Sequence, residues 1–190
     1  MQKLGVIFLL LSVISCVSEK ALIDNGIDNG EEAIYPESSQ SLFTGVRVNH
    51  HNNGEIYSEK SFIDGKLNGV SRAYLRNGQI EFIRNYKDGE LDGNSKYYHE
   101  NSQLQVSVNH RDGVLHGLYE SYYDNGNLDV RETYKNGIAE GYSYKYAENG
   151  QLLMIETYKD GELDGLYERY DENGQLENKG IYKDGQFISK

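Results

Sequence analysis

The chain has 190 residues, with 21 glycines, 17 tyrosines, one proline, one cysteine and no tryptophan. This composition fits one regular, β-rich domain. A formal net charge of −11 argues against a nucleic-acid partner, whose phosphates require clustered Lys and Arg, and against simple attraction to anionic lipid. With Cys16 as the single cysteine, no disulfide forms within one chain.

Residues 1–16 read MQKLGVIFLLLSVISC. One lysine precedes an apolar run, Leu4–Ile14, that is too short to span a bilayer and ends in small Ser15. The pattern predicts a secretory signal peptide over 1–15. Val13-Ile14-Ser15-Cys16 resembles a bacterial lipobox. That resemblance implies cleavage before Cys16 and a diacylglyceryl anchor on its thiol, and hence a lipoprotein of the cell envelope. The competing reading is an ordinary signal peptide followed by an incidental cysteine. Cleavage removes Lys3 and takes the net charge to −12.

Residues 16–42 join the anchor to the rest. They are polar and acidic and read as a flexible tether. Asp24-Asn25-Gly26 and Asp28-Asn29-Gly30 lack EF-hand spacing and a closing Glu, which disfavours a calcium loop. Leu42-Phe43-Thr44-Gly45 resembles the tail of a degenerate half-repeat that caps the sheet.

From residue 43 to 190 a 24-residue frame governs the chain. Glycines open it at Gly45, Gly69, Gly93, Gly117, Gly141 and Gly165. Each copy then carries an aromatic position (His50, Tyr74, Tyr98, Tyr122, Tyr146, Tyr170) and an Asn-Gly site. An aliphatic comes next (Ile56, Ile80, Leu104, Leu128, Leu152, Leu176), and later a second aromatic before an invariant glycine. The segments between glycines are short and rich in Tyr, Ile and Val, without a 3.6-residue period. They read as two strands per repeat. The predicted fold is therefore all-β: an elongated, single-layer antiparallel meander of six β-hairpins, about twelve strands. One layer cannot enclose a large core, so stability must come from packing of each repeat on the next.

The frame also discriminates between turns. A two-residue Asn149-Gly150 turn would put Tyr146 and Leu152 on opposite faces. A three-residue loop, Glu148-Asn149-Gly150 with Gly150 in αL, pairs Tyr146 with Leu152 and Tyr144 with Met154, and it is the predicted form. Ser102 replaces this glycine in one copy, so that turn is expected to be the most strained. For Lys159–Asp164 the expectation is a wider loop with Leu163 folded back, preferred over a tight Asp160-Gly161 turn.

No catalytic constellation emerges. His50, His51, His99, His110 and His116 supply no three-ligand spacing; His50 and His110 read as substituted aromatic positions, and no metal or cofactor is expected. Nucleophile elbows and phosphate loops are missing from the sequence. Tyr119, Tyr123, Tyr142, Tyr144 and Tyr167 fall off the strict frame. They read either as a partner-contact surface or as packing between rungs.

The unit G-x-Y-x-x-Y-x-x-N-G-x-L…Y-K-D-G-x-L-x-G resembles the MORN repeat variant, of the kind found in bacterial YwqK-family antitoxins of toxin–antitoxin systems. The resemblance covers residues 43–188. It implies a hairpin array that acts by binding, not catalysis. A signal at 1–16 removes the chain from the cytosol, where such an antitoxin would act. The expected function is thus an envelope-anchored, non-enzymatic module that binds a protein partner through a Tyr-rich face. The alternative is an antitoxin or immunity protein that caps a cognate toxin.

Overall fold

The computed structural model describes residues 43–189. The signal segment 1–15, Cys16 and the remainder of the 16–42 linker lie outside the described residues. Within 43–189 the chain forms one antiparallel sheet. Its strands are β1 (Gly45–His50), β2 (Ile56–Ile63), β3 (Lys66–Tyr74), β4 (Ile80–Lys87), β5 (Glu90–Leu91), β6 (Gly93–Tyr98), β7 (Leu104–Arg111) and β8 (Val114–Tyr122). They continue as β9 (Leu128–Lys135), β10 (Ile138–Ala139), β11 (Gly141–Tyr146), β12 (Leu152–Lys159), β13 (Glu162–Tyr170), β14 (Leu176–Lys183) and β15 (Gln186–Ser189). Neighbours in space are neighbours in sequence, as a meander demands. Two short pieces are halves of interrupted strands. β5 leads into β6 through Asp92, and β10 into β11 through Glu140, whose N–H groups donate to Asn85 O and Thr133 O, both at 2.9 Å. β15 pairs with β14 at the position that opens the first strand of each hairpin.

The first turn of each repeat is the expected three-residue loop. Ala147 N–H donates to Gln151 O (2.7 Å), Gly150 N–H donates to Ala147 O (2.8 Å), and Gly150 has φ +87°. A type I turn followed by an αL glycine has this pattern. Tyr146 pairs with Leu152, as expected; Tyr144 pairs with Ile155, not Met154. The cause is an extra residue, Leu153, bulged out of the ladder so that Lys145 meets Met154. All six hairpins carry this bulge, at Tyr57, Glu81, Gln105, Asp129, Leu153 and Glu177. Ser102 sits at φ +67° where every other copy has glycine. Ser102→Gly is expected to raise stability by about 1 kcal/mol, the relieved αL strain exceeding the added unfolded-chain entropy. A lower urea midpoint for the variant would refute the strained-turn assignment.

The second connection corrects the expectation of a wide loop. Lys159 pairs with Glu162 and Tyr158 with Leu163, leaving Asp160-Gly161 as a two-residue turn with φ +50° and +83°. Positive φ at both positions defines type I′, whose twist matches that of paired strands. Leu163 is not folded back; it is a strand residue opposite Tyr158. Its carbonyl accepts the N–H of Gly185 one repeat later (2.9 Å), and the same rung links Phe43 to Gly65 (2.7 Å), Leu67 to Gly89, Leu91 to Gly113, Leu115 to Gly137 and Ala139 to Gly161. Phe43 therefore fills the leucine position of a half-repeat at the start of the array, as its sequence suggested. Its ring packs on Phe62 (5.7 Å between centroids).

The opening glycines have a role that the sequence did not disclose. At Gly69, Gly117 and Gly165 three residues oppose a single residue of the preceding strand: Asp164-Gly165-Leu166, for one, face Thr157, between the pairs Glu156–Tyr167 and Tyr158–Leu163. The opposed side chain fills the gap by donating to the carbonyl just after the glycine. Ser61 does so to Val70 O (2.9 Å), Asn109 to Leu118 O (2.9 Å) and Thr157 to Leu166 O (3.1 Å).

Cross-strand pairing sorts the side chains into two faces. One, the inner face, carries every buried side chain among the described residues: Ser58, Ser71, Ala73, Ser95, Val106, Val108, Ser121, Tyr134 and Ser143. A flat single layer would leave both faces half-wet. Bulges at each hairpin bend and twist the strands locally. The outer face carries the Tyr146/Leu152 stripe and surface ion pairs such as Arg72–Glu59 (3.5 Å) and Lys179–Glu168 (2.8 Å).

Candidate functional site

The inner face changes character along the array. At one repeated strand position stand Lys60, Arg84, Val108, Glu132, Glu156 and then Gly180, so the charge runs from basic to acidic. On the acidic side, Tyr134 Oη donates to Glu132 Oε2 (2.6 Å), Ser143 Oγ to Glu132 Oε1 (3.1 Å) and Tyr158 Oη to Glu156 Oε2 (3.0 Å). Burial raises the pKa of Glu156, and the nearby Glu132 charge adds to that; Tyr158 donates to its charged form and opposes it. Burial and the same carboxylate contacts push the Tyr134 and Tyr158 phenols well above their ordinary range. These are tyrosines that hold carboxylates in place.

On the basic side, the Arg84 guanidinium lies over the Phe82 ring at 3.9 Å and near the Tyr97 ring at 5.3 Å. Ser71 is its direct cross-strand partner. Ser95 lies across the other strand boundary, one residue past the Ile83–Lys96 pair.

The five frame-breaking tyrosines do not share one face. Tyr119 and Tyr167 are on the inner face, half-buried, with rings edge-on to Tyr134 (6.3 Å) and Tyr182 (5.6 Å). Tyr142 and Tyr144 are on the outer face, 6.0 Å apart with rings inclined by 33°, and Tyr142 is 53 % exposed. Tyr123 is in a turn. Its Oη donates to Tyr146 O of the next repeat (2.8 Å). Burial, with the nearby Asp129 carboxylate, pushes its pKa up to about 12.

That contact exposes a column the sequence analysis missed. His51 and His99 occupy the same position as Tyr123 and bond Tyr74 O (3.1 Å) and Tyr122 O (2.9 Å) through Nε2. The turn asparagines reach across likewise: Asn125 Nδ2 donates to Glu148 O (2.9 Å). A second column precedes the opening glycines. There Thr44 Oγ1 accepts from Asp64 N (2.9 Å) and Glu140 Oε2 from Asp160 N (3.0 Å). His116 belongs to this column, with Nδ1 at Asn136 (3.2 Å to Oδ1), whereas His110 pairs with Leu115 on the inner face. His50 ends β1 opposite Ile56 on the outer face. Among the described residues no group of three or more His, Cys, Asp or Glu is placed to hold a metal ion. Among the described residues, which form strands and turns, no helix is long and apolar enough to cross a membrane.

An open sheet of stacked, identical hairpins, tied repeat to repeat by backbone rungs and turn-edge side chains, defines a repeat-array scaffold. The chain belongs to the MORN repeat variant family, whose profile matches residues 67–88, 91–112, 115–136, 139–160 and 163–184, together more than half of its length. Each matched segment runs from the leucine position to the residue before the invariant turn glycine. The copy over 45–64 completes the array in the structure but is not among the matched segments. Repeats of this family generally serve as protein- or membrane-binding modules. No curated protein matches the chain.

Proposed function

We propose that the chain is a non-enzymatic, protein-binding module of the bacterial envelope, held there by lipid on Cys16, and that it engages its partner through exposed tyrosines of the outer face. The observation that carries this reading is the Tyr142–Tyr144 pair. Two adjacent rings, one more than half exposed, sit on strand β11, where they add little to the sheet's own packing. Tyrosine in such a place offers a stiff apolar surface with a polar tip, the kind of residue that dominates protein interfaces. Among the off-frame tyrosines, Tyr119, Tyr123 and Tyr167 are engaged within the array.

The test combines anchoring and contact. Lipid labelling of bacteria that express the full chain is expected to tag the natural sequence and not Cys16→Ser. In-cell cross-linking is expected to trap a partner that is lost in Tyr142→Ala/Tyr144→Ala, at an unchanged melting temperature. Label on the Cys16→Ser chain would overturn the anchor. A partner retained by the double variant would overturn the outer-face site. Should that partner be a secreted toxin from which the chain protects cells, the module is of the immunity type.

A further inference from the structure

Among the described residues, four buried side-chain polar atoms lack a hydrogen-bond partner: Ser71 Oγ, Arg84 Nε, Ser95 Oγ and His110 Nδ1. They come from four separate strands, β3, β4, β6 and β7, yet they belong to one patch of the inner face. Ser71 and Ser95 flank Arg84 on either side. The Arg84 charge reaches His110, where burial first and this charge second hold the imidazole pKa below its ordinary value. Ser71 is 4 % exposed and Ser95 fully buried. Arg84 takes part in none of the ion pairs among the described residues. Buried polar atoms left unpaired are costly, and native proteins rarely keep one, let alone four together beside a half-buried cation whose other contacts are the Tyr86 and Tyr97 side chains.

We propose that this patch is a receptor site for one carboxylate, presented by an acidic residue of a protein partner. The guanidinium is a planar fork that matches the two oxygens of a carboxylate, and the serine hydroxyls add donors on both sides of it. The Phe82 and Tyr97 rings, packed against Arg84, form an apolar wall for the short aliphatic stem of Asp or Glu. Lys60, the cross-strand partner of Ser71, adds to the basic character of this end of the face, and in a chain whose net charge is already −11 a monoanion is repelled less than a phosphate dianion. This site lies on the face opposite Tyr142 and Tyr144 and stands independently of the outer-face reading.

The full chain is titrated with the capped tripeptide Ala-Glu-Ala, with its Ala-Gln-Ala counterpart, and with inorganic phosphate, while the Arg84 Nε–H and His110 ring signals are followed by NMR. The expected result is a saturable shift of both signals with Ala-Glu-Ala alone. Ser95→Ala should weaken that binding by about tenfold while leaving the free protein as stable as the natural chain or more so, since an orphaned hydroxyl is removed. Arg84→Gln should abolish it; if that variant does not fold, Ser95→Ala carries the test. Equal shifts with Ala-Gln-Ala, or none with Ala-Glu-Ala, would overturn the site. Tighter binding of phosphate would overturn its assignment to carboxylate. Unchanged affinity together with lower stability in Ser95→Ala would make the serine a structural residue and also sink the proposal.

Discussion

Tyr134→Ala is expected to lower folding stability by about 3–5 kcal/mol, the largest single loss in the array. Among the described residues Tyr134 is the one large aromatic that is buried, 5 % exposed. Its ring packs edge-on to Tyr119, and its hydroxyl donates to Glu132. Truncation opens a cavity where two repeats meet and removes one of the two donors that hold the Glu132 carboxylate. Tyr134→Phe keeps the ring and isolates the hydroxyl, at about 1–2 kcal/mol. Tyr142→Ala, on an exposed ring, should stay within about 0.5 kcal/mol. Urea unfolding of the three variants checks the series. Equal losses for Tyr134→Ala and Tyr142→Ala would mean that the inner face holds no more stabilising packing than the outer one.

Gly165→Ala is the second large effect, at about 2–4 kcal/mol. Two causes add. The backbone at Gly165 has φ +126°, which side chains rarely adopt. A Cβ there would also meet Thr157 Cβ at 3.0 Å and Cγ2 at 3.1 Å. Gly141 is the control: φ is +91° with nothing within 4 Å, so Gly141→Ala carries only the backbone part, about 1–2 kcal/mol. Adding Thr157→Ser to Gly165→Ala removes Cγ2 but keeps the hydroxyl that bonds Leu166 O, and should recover part of the loss. Identical urea midpoints for Gly165→Ala and Gly141→Ala would show that the contact with Thr157 is absent.

The array was readable because its signals are periodic and local. Asn149-Gly150 and the Tyr146–Leu152 pairing come from requiring an aromatic and an aliphatic on one side of a hairpin. The bulge at Leu153 left no such mark. An extra residue present in every copy is absorbed into the period and shifts only the pairs beyond the turn. Asp160-Gly161 carried the signal of a tight turn. It was outweighed by the recurring leucine, whose purpose was hidden until Leu163 was seen opposite Tyr158 with its carbonyl bonded to Gly185.

The sites were less legible because they depend on which face each residue occupies. Tyr119, Tyr142, Tyr144 and Tyr167 look alike in sequence, and only the pairing separates them. Arg84, Ser71, Ser95 and His110 are far apart in the chain and ordinary one by one. His110 reads as a substituted aromatic position, which it is. What sets these residues apart is that each buries a polar atom without a partner, and only the strand pairing brings those atoms together.

The rungs between successive leucine carbonyls and turn glycines bear on how such a chain can change in length. Each rung joins a leucine-position carbonyl to the turn-glycine amide of the next copy, so removing or duplicating a whole 24-residue unit joins the same kind of carbonyl to the same kind of amide and leaves both faces in phase. A change of any other length misplaces every rung after it, and an odd one turns the later side chains over. Copy number can therefore drift during evolution only in whole units, and each unit gained or lost alters how far the inner face runs between its basic and acidic ends.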